Sequence, residues 1–506
     1  MDHKTSLTVL GSYLYTPAKG TNYMQFPVEG TLYPGPYGRI PRSRFVGSTN
    51  FNQQSDRDAM FEYQFQHRFS RFLNFSQVFR YEKSKSYDRD MYMSGMINDR
   101  QATLTPWISD GYNGTTGLDS RFYEKFKIGN VENTWVVGSD FRQYNYHSNI
   151  TFDDAQYTTD LYNPPNNYRP CTSPRSPECT VWQTTSTNQY FQEGVYFQDQ
   201  IKWKGLSLLL GGRQDWVDET THGESITNEN AAHETTYTAH VRSVRPESAF
   251  TWRVGLIYQF DFGLAPYFSY ATSFIPQTGS DWLGNPFPSL TGQQKEAGLK
   301  YKVPNRDILI TASAYDINEN HYLISDYAHP NYSADAGRVN ARGFEVAANA
   351  NITRDLRLVA SYSYNSMTYA KTNLTAATQL PDGSYGPTAS EKGKYVESVP
   401  RNMFSFFLDY KLPGKIMPRF SVNGGMRYIG FTYSDAVNTF KVPAYYLFDI
   451  GMHYDFSEKI PMLKGLQAQL AVSNLTNRYY VTSCGGNFAC YVGQGRRVYG
   501  SLSYSW

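Results

Sequence analysis

The chain has 506 residues, with 47 Lys and Arg against 45 Asp and Glu and a formal net charge of +2, which gives no electrostatic case for a nucleic-acid partner. Aromatic residues make up 16%, with 43 Tyr and 31 Phe, yet the mean hydropathy is −0.55. No run of about 18 apolar residues occurs, which excludes a transmembrane helix, whereas strands that face lipid on one side and water on the other suit this mixture.

In chain order, strand-like segments alternate with connectors of two sizes. The first segment, 6–15, precedes a Gly-, Pro- and Tyr-rich connector reaching about residue 56. Segments 58–69 and 72–83 are joined by a very short turn, and a second long connector runs to about 117. The pair 118–127 and 133–146 follows, then a third connector, about 147–185. Segments 189–203 and 206–217 meet at Lys204-Gly205, and a polar connector leads to about 247. Segments 250–260 and 264–274 meet at Asp261-Phe262-Gly263. The second half keeps the rhythm: 295–303 with 308–317, 339–350 with 356–364, 402–411 with 420–428, then 446–456, 466–472 and the end of the chain.

Alternation is clearest in that last stretch. Counting back by twos from Trp506, residues Tyr504, Leu502, Gly500 and Val498 share one face, and Ser505, Ser503, Ser501, Tyr499 and Arg497 share the other. A soluble sheet alternates too. Recurrence along the whole chain, with an aromatic at the end, favours an all-β, antiparallel transmembrane barrel of the outer membrane with about 18 strands. Short turns then lie at one end, together with both termini, and long loops at the other. No signal peptide opens the chain, so Met1 is expected not to be the native start of an exported protein.

The four cysteines form two close pairs, Cys171/Cys179 and Cys484/Cys490, each within a connector. An even count at short spacing in an exported chain suggests two disulfides, and no His stands at zinc-ligand spacing from either pair.

Gly194-Val195-Tyr196-Phe197-Gln198-Asp199-Gln200 and Leu210-Gly211-Gly212-Arg213-Gln214-Asp215-Trp216 resemble the mid-barrel signature of TonB-dependent siderophore receptors. Pro266 to Phe274, Glu296-Ala297-Gly298-Leu299-Lys300-Tyr301, Ala341-Arg342-Gly343-Phe344-Glu345 and Val399-Pro400-Arg401-Asn402 follow in the family's order. The end, from Asn474-Leu475-Thr476-Asn477 through Cys484 and Cys490 to Trp506, resembles the ferrichrome-receptor branch. The resemblance implies a 22-strand barrel with an internal plug and a preceding TonB box. This chain reads as the barrel domain over 1–506, without the plug, the box and the first strands. TonB would be engaged only through those missing parts.

The resemblance also implies the partners and the site. The ligand is a ferric siderophore, with the iron already wrapped in the chelate's oxygens, so neither a metal ligand nor a cofactor is expected. Tyr23, Gln25, Tyr92 and Phe152 fall where ferrichrome receptors touch the chelate, and Phe488 lies in the loop that holds another contact. Any single Tyr or Phe is more often girdle or lumen packing. Outer-membrane lipid and lipopolysaccharide would surround the barrel. No nucleophile elbow, phosphate loop or metal cluster appears, so no enzymatic activity is expected. Asp449 and His453, four apart on one strand, read as polar lining. Haem and cobalamin remain other substrate classes of such receptors. A passive porin-like channel and a non-functional barrel fragment with open edges are the alternatives.

Overall fold

The computed structural model describes residues 4–20, 25–153, 155–171, 181–228, 235–326, 328–329, 332–372, 374–414, 419–456, 463 and 465–505. Tyr23, Cys179 and Trp506 lie outside the described residues. Among the described residues the main sheet has 19 strands, of which the short Tyr157–Asp160 only caps one neighbour.

The others run as a meander. They are β1 (Thr5–Lys19), β2 (Gln53–Ser70), β3 (Leu73–Met96), β4 (Gln101–Ile128), β5 (Val131–Asp153) and β6 (Val181–Trp203). Next come β7 (Leu206–Asn228), β8 (Thr235–Tyr258), β9 (Leu264–Ile275), β10 (Leu290–Lys302), β11 (Ile308–Asn320) and β12 (Arg338–Asn351). The series ends with β13 (Leu356–Lys371), β14 (Asn402–Lys411), β15 (Phe420–Ile429), β16 (Tyr445–Asp455), β17 (Leu466–Ser473) and β18 (Arg497–Tyr504). Every sequence-predicted strand is present. All ladders are antiparallel, with each strand paired to the next.

The connectors correct the sequence reading in three places. Among the described residues, 84–117 and 218–247 are largely strand, not loop, as the far halves of β3, β4, β7 and β8, while 147–185 contributes only the ends of β5 and β6 and a short strand, with 161–171 outside any strand. A 24-residue strand such as β3 reaches roughly 80 Å at about 3.3 Å per residue, whereas an apolar band needs only about 10 residues. Beyond that band neither face meets hydrocarbon, so any alternation there reflects loop packing, as at Met91 and Met93, and no longer a lipid-facing strand.

Register gives each face its chemistry. One row runs Ala348, Ala360, Phe406, Met426 and Phe448 across β12–β16, and the next runs Leu358, Leu408, Gly424, Ile450, Val472 and Val498. That face is apolar and outward, with Phe122, Val137, Phe197, Trp252 and Phe268 on the earlier strands all exposed. The opposite face carries charge. Arg213 on β7 grips Asp140 on β5 through both terminal nitrogens, at 2.5 and 2.9 Å. It also meets Asp215 at 2.7–3.0 Å, while Gln192 donates to Asp215 at 2.6 Å. The signature glycine Gly194 is what admits the guanidinium, because a Cβ there would collide with it.

Three more glycines on this face each lie directly across a ladder from a tyrosine: Gly138 from Tyr196, Gly298 from Tyr267 and Gly343 from Tyr315. A Cβ would fall 2.5–2.7 Å from the phenol in each case. The phenol end of the ring fills the space over the bare glycine, which restores the packing a missing side chain loses. Tyr196 then donates to Asp119 at 2.6 Å and Tyr267 to Glu296 at 2.5 Å. The signatures therefore encode a packed polar wall.

Among the described residues no ladder joins β18 back to β1. Side chains on both faces of β1 and β18 are exposed: Leu10, Tyr13 and Leu14 on β1, and Val498, Tyr499 and Leu502 on β18.

Candidate functional site

At the end away from the short turns, the connectors fold into a layer of their own. The short strand Gln25–Pro27 in the first loop adds to the hairpin Val481–Gly485/Ala489–Val492 in the last one, pairing Phe26 with Cys490. Cys484 and Cys490 are joined in a disulfide across that hairpin. Cys171 is also disulfide-bonded. Phe26, Ile40, Met91, Leu104, Leu161 and Phe488 form the dry core beneath, each worth about 1.5–3 kcal/mol of burial before entropy is counted.

The layer also ties the first loop to the last. Arg42 donates to the carbonyl oxygen of Arg478 at 2.8 Å and to Asn477 at 2.9 and 3.1 Å. The Tyr479 hydroxyl donates to the Ile40 carbonyl at 3.2 Å, with Arg39 and Arg42 stacked near its ring. Arg100 donates to Asp160 at 2.7 Å. Burial opposes ionisation of Asp160, but that bond and two backbone amides hold its carboxyl below the usual range.

A hairpin in the connector between β13 and β14, formed by Thr375–Gln379 and Tyr385–Ser390, reaches this layer from far around the sheet. Its tip receives a bond from the Met96 amide at the Pro381 carbonyl (3.0 Å) and one from the Asn487 amide at the Gln379 carbonyl (2.7 Å). Met96 ends β3, ten strands from the hairpin's root on β13. The hairpin therefore straps the mouth. A cavity of about 350 Å³ lies where its tip meets Pro27, Glu29, Ile97, Asp99 and Asn487.

On the face of the strands opposite to that loop core, the polar side of β3–β6 carries an aromatic row. Trp107 pairs directly with Phe152, and Phe152 with Trp182, whose rings stack at 5.3 Å. Tyr92 stands two residues from Asp90, which pairs with Trp107, so it shares this face. Alternation explains the division of labour: Met91 and Met93 enter the apolar loop core, while Tyr92 between them turns to the polar side. Burial raises the Tyr92 phenol above its ordinary pKa, opposed by a hydrogen bond with Thr105, and it remains a protonated donor at neutral pH.

Tyr92 and Phe152 are thus brought together on one face. Gln25 is half-buried beside Tyr491 in the loop layer. Phe488 is 5% exposed and packs into the loop core. Trp107 and Trp182 were missed from sequence because only the register aligns them with Phe152. Asp449 is engaged by Arg427 at 2.9 Å, as structural lining of the wall.

The family described as TonB dependent receptor-like, beta-barrel, matches residues 3–475. The ferrichrome outer membrane transporter/phage receptor of Escherichia coli (strain K12) is 30% identical over 99% of this chain and 66% of its own length. The ferrioxamine B receptor of Salmonella typhimurium (strain SL1344) is 28% identical over 98% of this chain and 65% of its own. The chain thus spans just under two thirds of these relatives. The closed form of the ferric-catecholate import receptor Fiu from E. coli K12 superposes with a TM-score of 0.78 at 17% identity, covering 99% of this chain and 72% of that one. The ferripyoverdine receptor of Pseudomonas aeruginosa gives 0.76 at 18%, over 100% and 63%. These two show the fold. With the match running through nearly every strand of the meander, the chain belongs to the β-barrel family of TonB-dependent receptors, proteins of the outer membrane.

Proposed function

We propose that this protein captures ferric siderophores of the hydroxamate class at the cell surface, as the barrel part of a TonB-dependent uptake system. The observation that carries the reading is the aromatic row of Tyr92, Trp107, Phe152 and Trp182 on the polar wall, on the face of the strands away from the loop core. A chelate that brings its iron fully wrapped in oxygen needs aromatic walls and a few placed donors. Tyr92 is such a donor, and the stacked Phe152 and Trp182 are such a wall. The names of the ferrichrome and ferrioxamine B receptors support the hydroxamate class. In this reading the iron chelate is cargo, the protein performs no chemistry on it, and no resident cofactor is required. Tyr23 and Gln25 would extend the contact from the first loop. Lipid and lipopolysaccharide would cover the apolar face, and energised passage would require the TonB complex.

The test is fluorescence-quenching titration of the purified protein with ferrichrome, ferrioxamine B and a ferric catecholate. The two hydroxamates should bind more tightly than the catecholate. Phe152→Ala should weaken binding about tenfold, the equivalent of roughly 1.4 kcal/mol. Equal affinity for all three chelates, or an unchanged Phe152→Ala, would refute the proposal.

A further inference from the structure

The root of the mouth-crossing hairpin holds a carboxyl group in an unusual place. Glu391 follows directly on the second hairpin strand, Tyr385–Ser390, and its relative exposure is 0%. Neither of its carboxyl oxygens has a hydrogen-bond partner. The chain turns there and docks on the end of β13: the Lys394 amide bonds the Glu391 carbonyl at 2.8 Å, and the Gly393 amide bonds the Tyr369 carbonyl at 2.8 Å. The Tyr369 amide bonds the Lys394 carbonyl at 3.0 Å, and the Val396 amide bonds the Met367 carbonyl at 3.0 Å. Ala336, Val339, Tyr369, Ala376, Val396 and Ala436 form the apolar cluster at this root.

The charged and titratable neighbours offer no compensation. Glu397, on the same connector, accepts from the Tyr369 hydroxyl at 2.9 Å. Tyr322 comes from the connector between β11 and β12, with Glu319 of β11 acting on it. Asp435, beside Ala436, already accepts from Ser434, Thr378 and Thr439. Arg401 is stacked on Tyr395 and bonded to Tyr364. Lys392 points to solvent and Lys394 is half-exposed. Burial, and then the negative charge of Glu397, push the Glu391 carboxyl up to about 7. An ionised carboxylate sealed here without a donor would cost several kcal/mol.

We propose that Glu391 is a proton-operated latch for the hairpin 375–390: with its proton in place the root packs and the hairpin lies across the mouth, and when that proton leaves to water the root loosens and the mouth opens. The linkage has a definite sign. The carboxyl binds its proton more tightly in the packed state than in the open one, so the packing is strongest below the ordinary carboxyl range and is lost as pH rises through about 7. The proposal concerns the mouth itself and does not depend on the identity of the ligand.

Hydrogen exchange of the purified protein in detergent micelles, read as protection factors corrected for intrinsic rates, tests it between pH 5.5 and 8.5. Opening of 375–390 should increase roughly thirtyfold across that range, following the shift from 4.5 to about 7, while β13 and β14 stay protected. Glu391→Gln, a neutral isostere, should stay closed at every pH. Glu397→Gln removes the repelling charge and should move the opening midpoint to lower pH. A pH-independent wild type overturns the proposal, as does a Glu391→Gln variant that still responds to pH. Should Glu391→Gln fail to fold, as read by heat-modifiable gel migration, an unmoved midpoint in Glu397→Gln overturns it instead.

Discussion

Arg213 is the place where the polar wall is most exposed to a single substitution. Its guanidinium faces two carboxylates, and the side chain of Asp215 is only 4% exposed, against 24% for Asp140. Replacing Arg213 with Met leaves both carboxylates without their cation. Breaking a buried pair from one side costs about 3–5 kcal/mol. Here Asp140 is partly wetted and Gln192 still donates to Asp215, which reduces the loss to roughly 2 kcal/mol. That corresponds to about a thirtyfold change in the folded-to-unfolded ratio. Urea titration of the protein in lipid vesicles, followed by tryptophan fluorescence, should show the midpoint falling accordingly. Adding Asp140→Asn and Asp215→Asn to the Arg213→Met background should recover at least half the loss, since the stranded charges are gone. A stable Arg213→Met variant, or a triple variant no better than the single one, would refute the assignment of Arg213 as counter-charge of the wall.

Three further outcomes are expected. Gly298→Ala sets a methyl group 2.6 Å from both the Tyr267 ring and the Ala312 carbonyl, and overpacking of this kind costs about 1–3 kcal/mol, read as a lower heat-modification temperature. Replacing Cys484 and Cys490 with Ser opens a small loop of sequence separation 6, for which chain entropy gives about 2 kcal/mol, and limited proteolysis should nick residues 477–496 first. Arg42→Ala removes three hydrogen bonds between the first and last loops at a partly exposed site, so about 1 kcal/mol is lost. Exchange at 25–27 and 489–492 should then rise together by about fivefold, while β2 and β17 remain unchanged.

Much of the molecule could be read without coordinates. Two-residue alternation located every long strand, because an apolar face against hydrocarbon and a polar face against water leave that period in the chain. The same logic failed where β3–β8 rise past the apolar band, since hydrocarbon no longer sets one face against the other and the apolar partners of Met91, Met93, Leu104 and Ile108 come from distant loops. Tyr92 and Phe152 could be named from resemblance, but neither Trp107 nor Trp182 could be added to them. A partner across a ladder depends on register, and register between strands separated by long connectors is settled only by the assembled sheet.

By itself, then, the sequence determined the class of fold, the order of strands and the local pair Cys484–Cys490, because periodicity and short-range spacing are properties of neighbouring residues. Only the tertiary structure decided the rest: the tyrosines laid over glycines, the grip of Arg213 on Asp140, the tie of Arg42 to the final loop and the sealed carboxyl of Glu391. Each of these joins residues distant in the chain, and their energy comes from packing and desolvation that exist only once the sheet has curled and its loops have met.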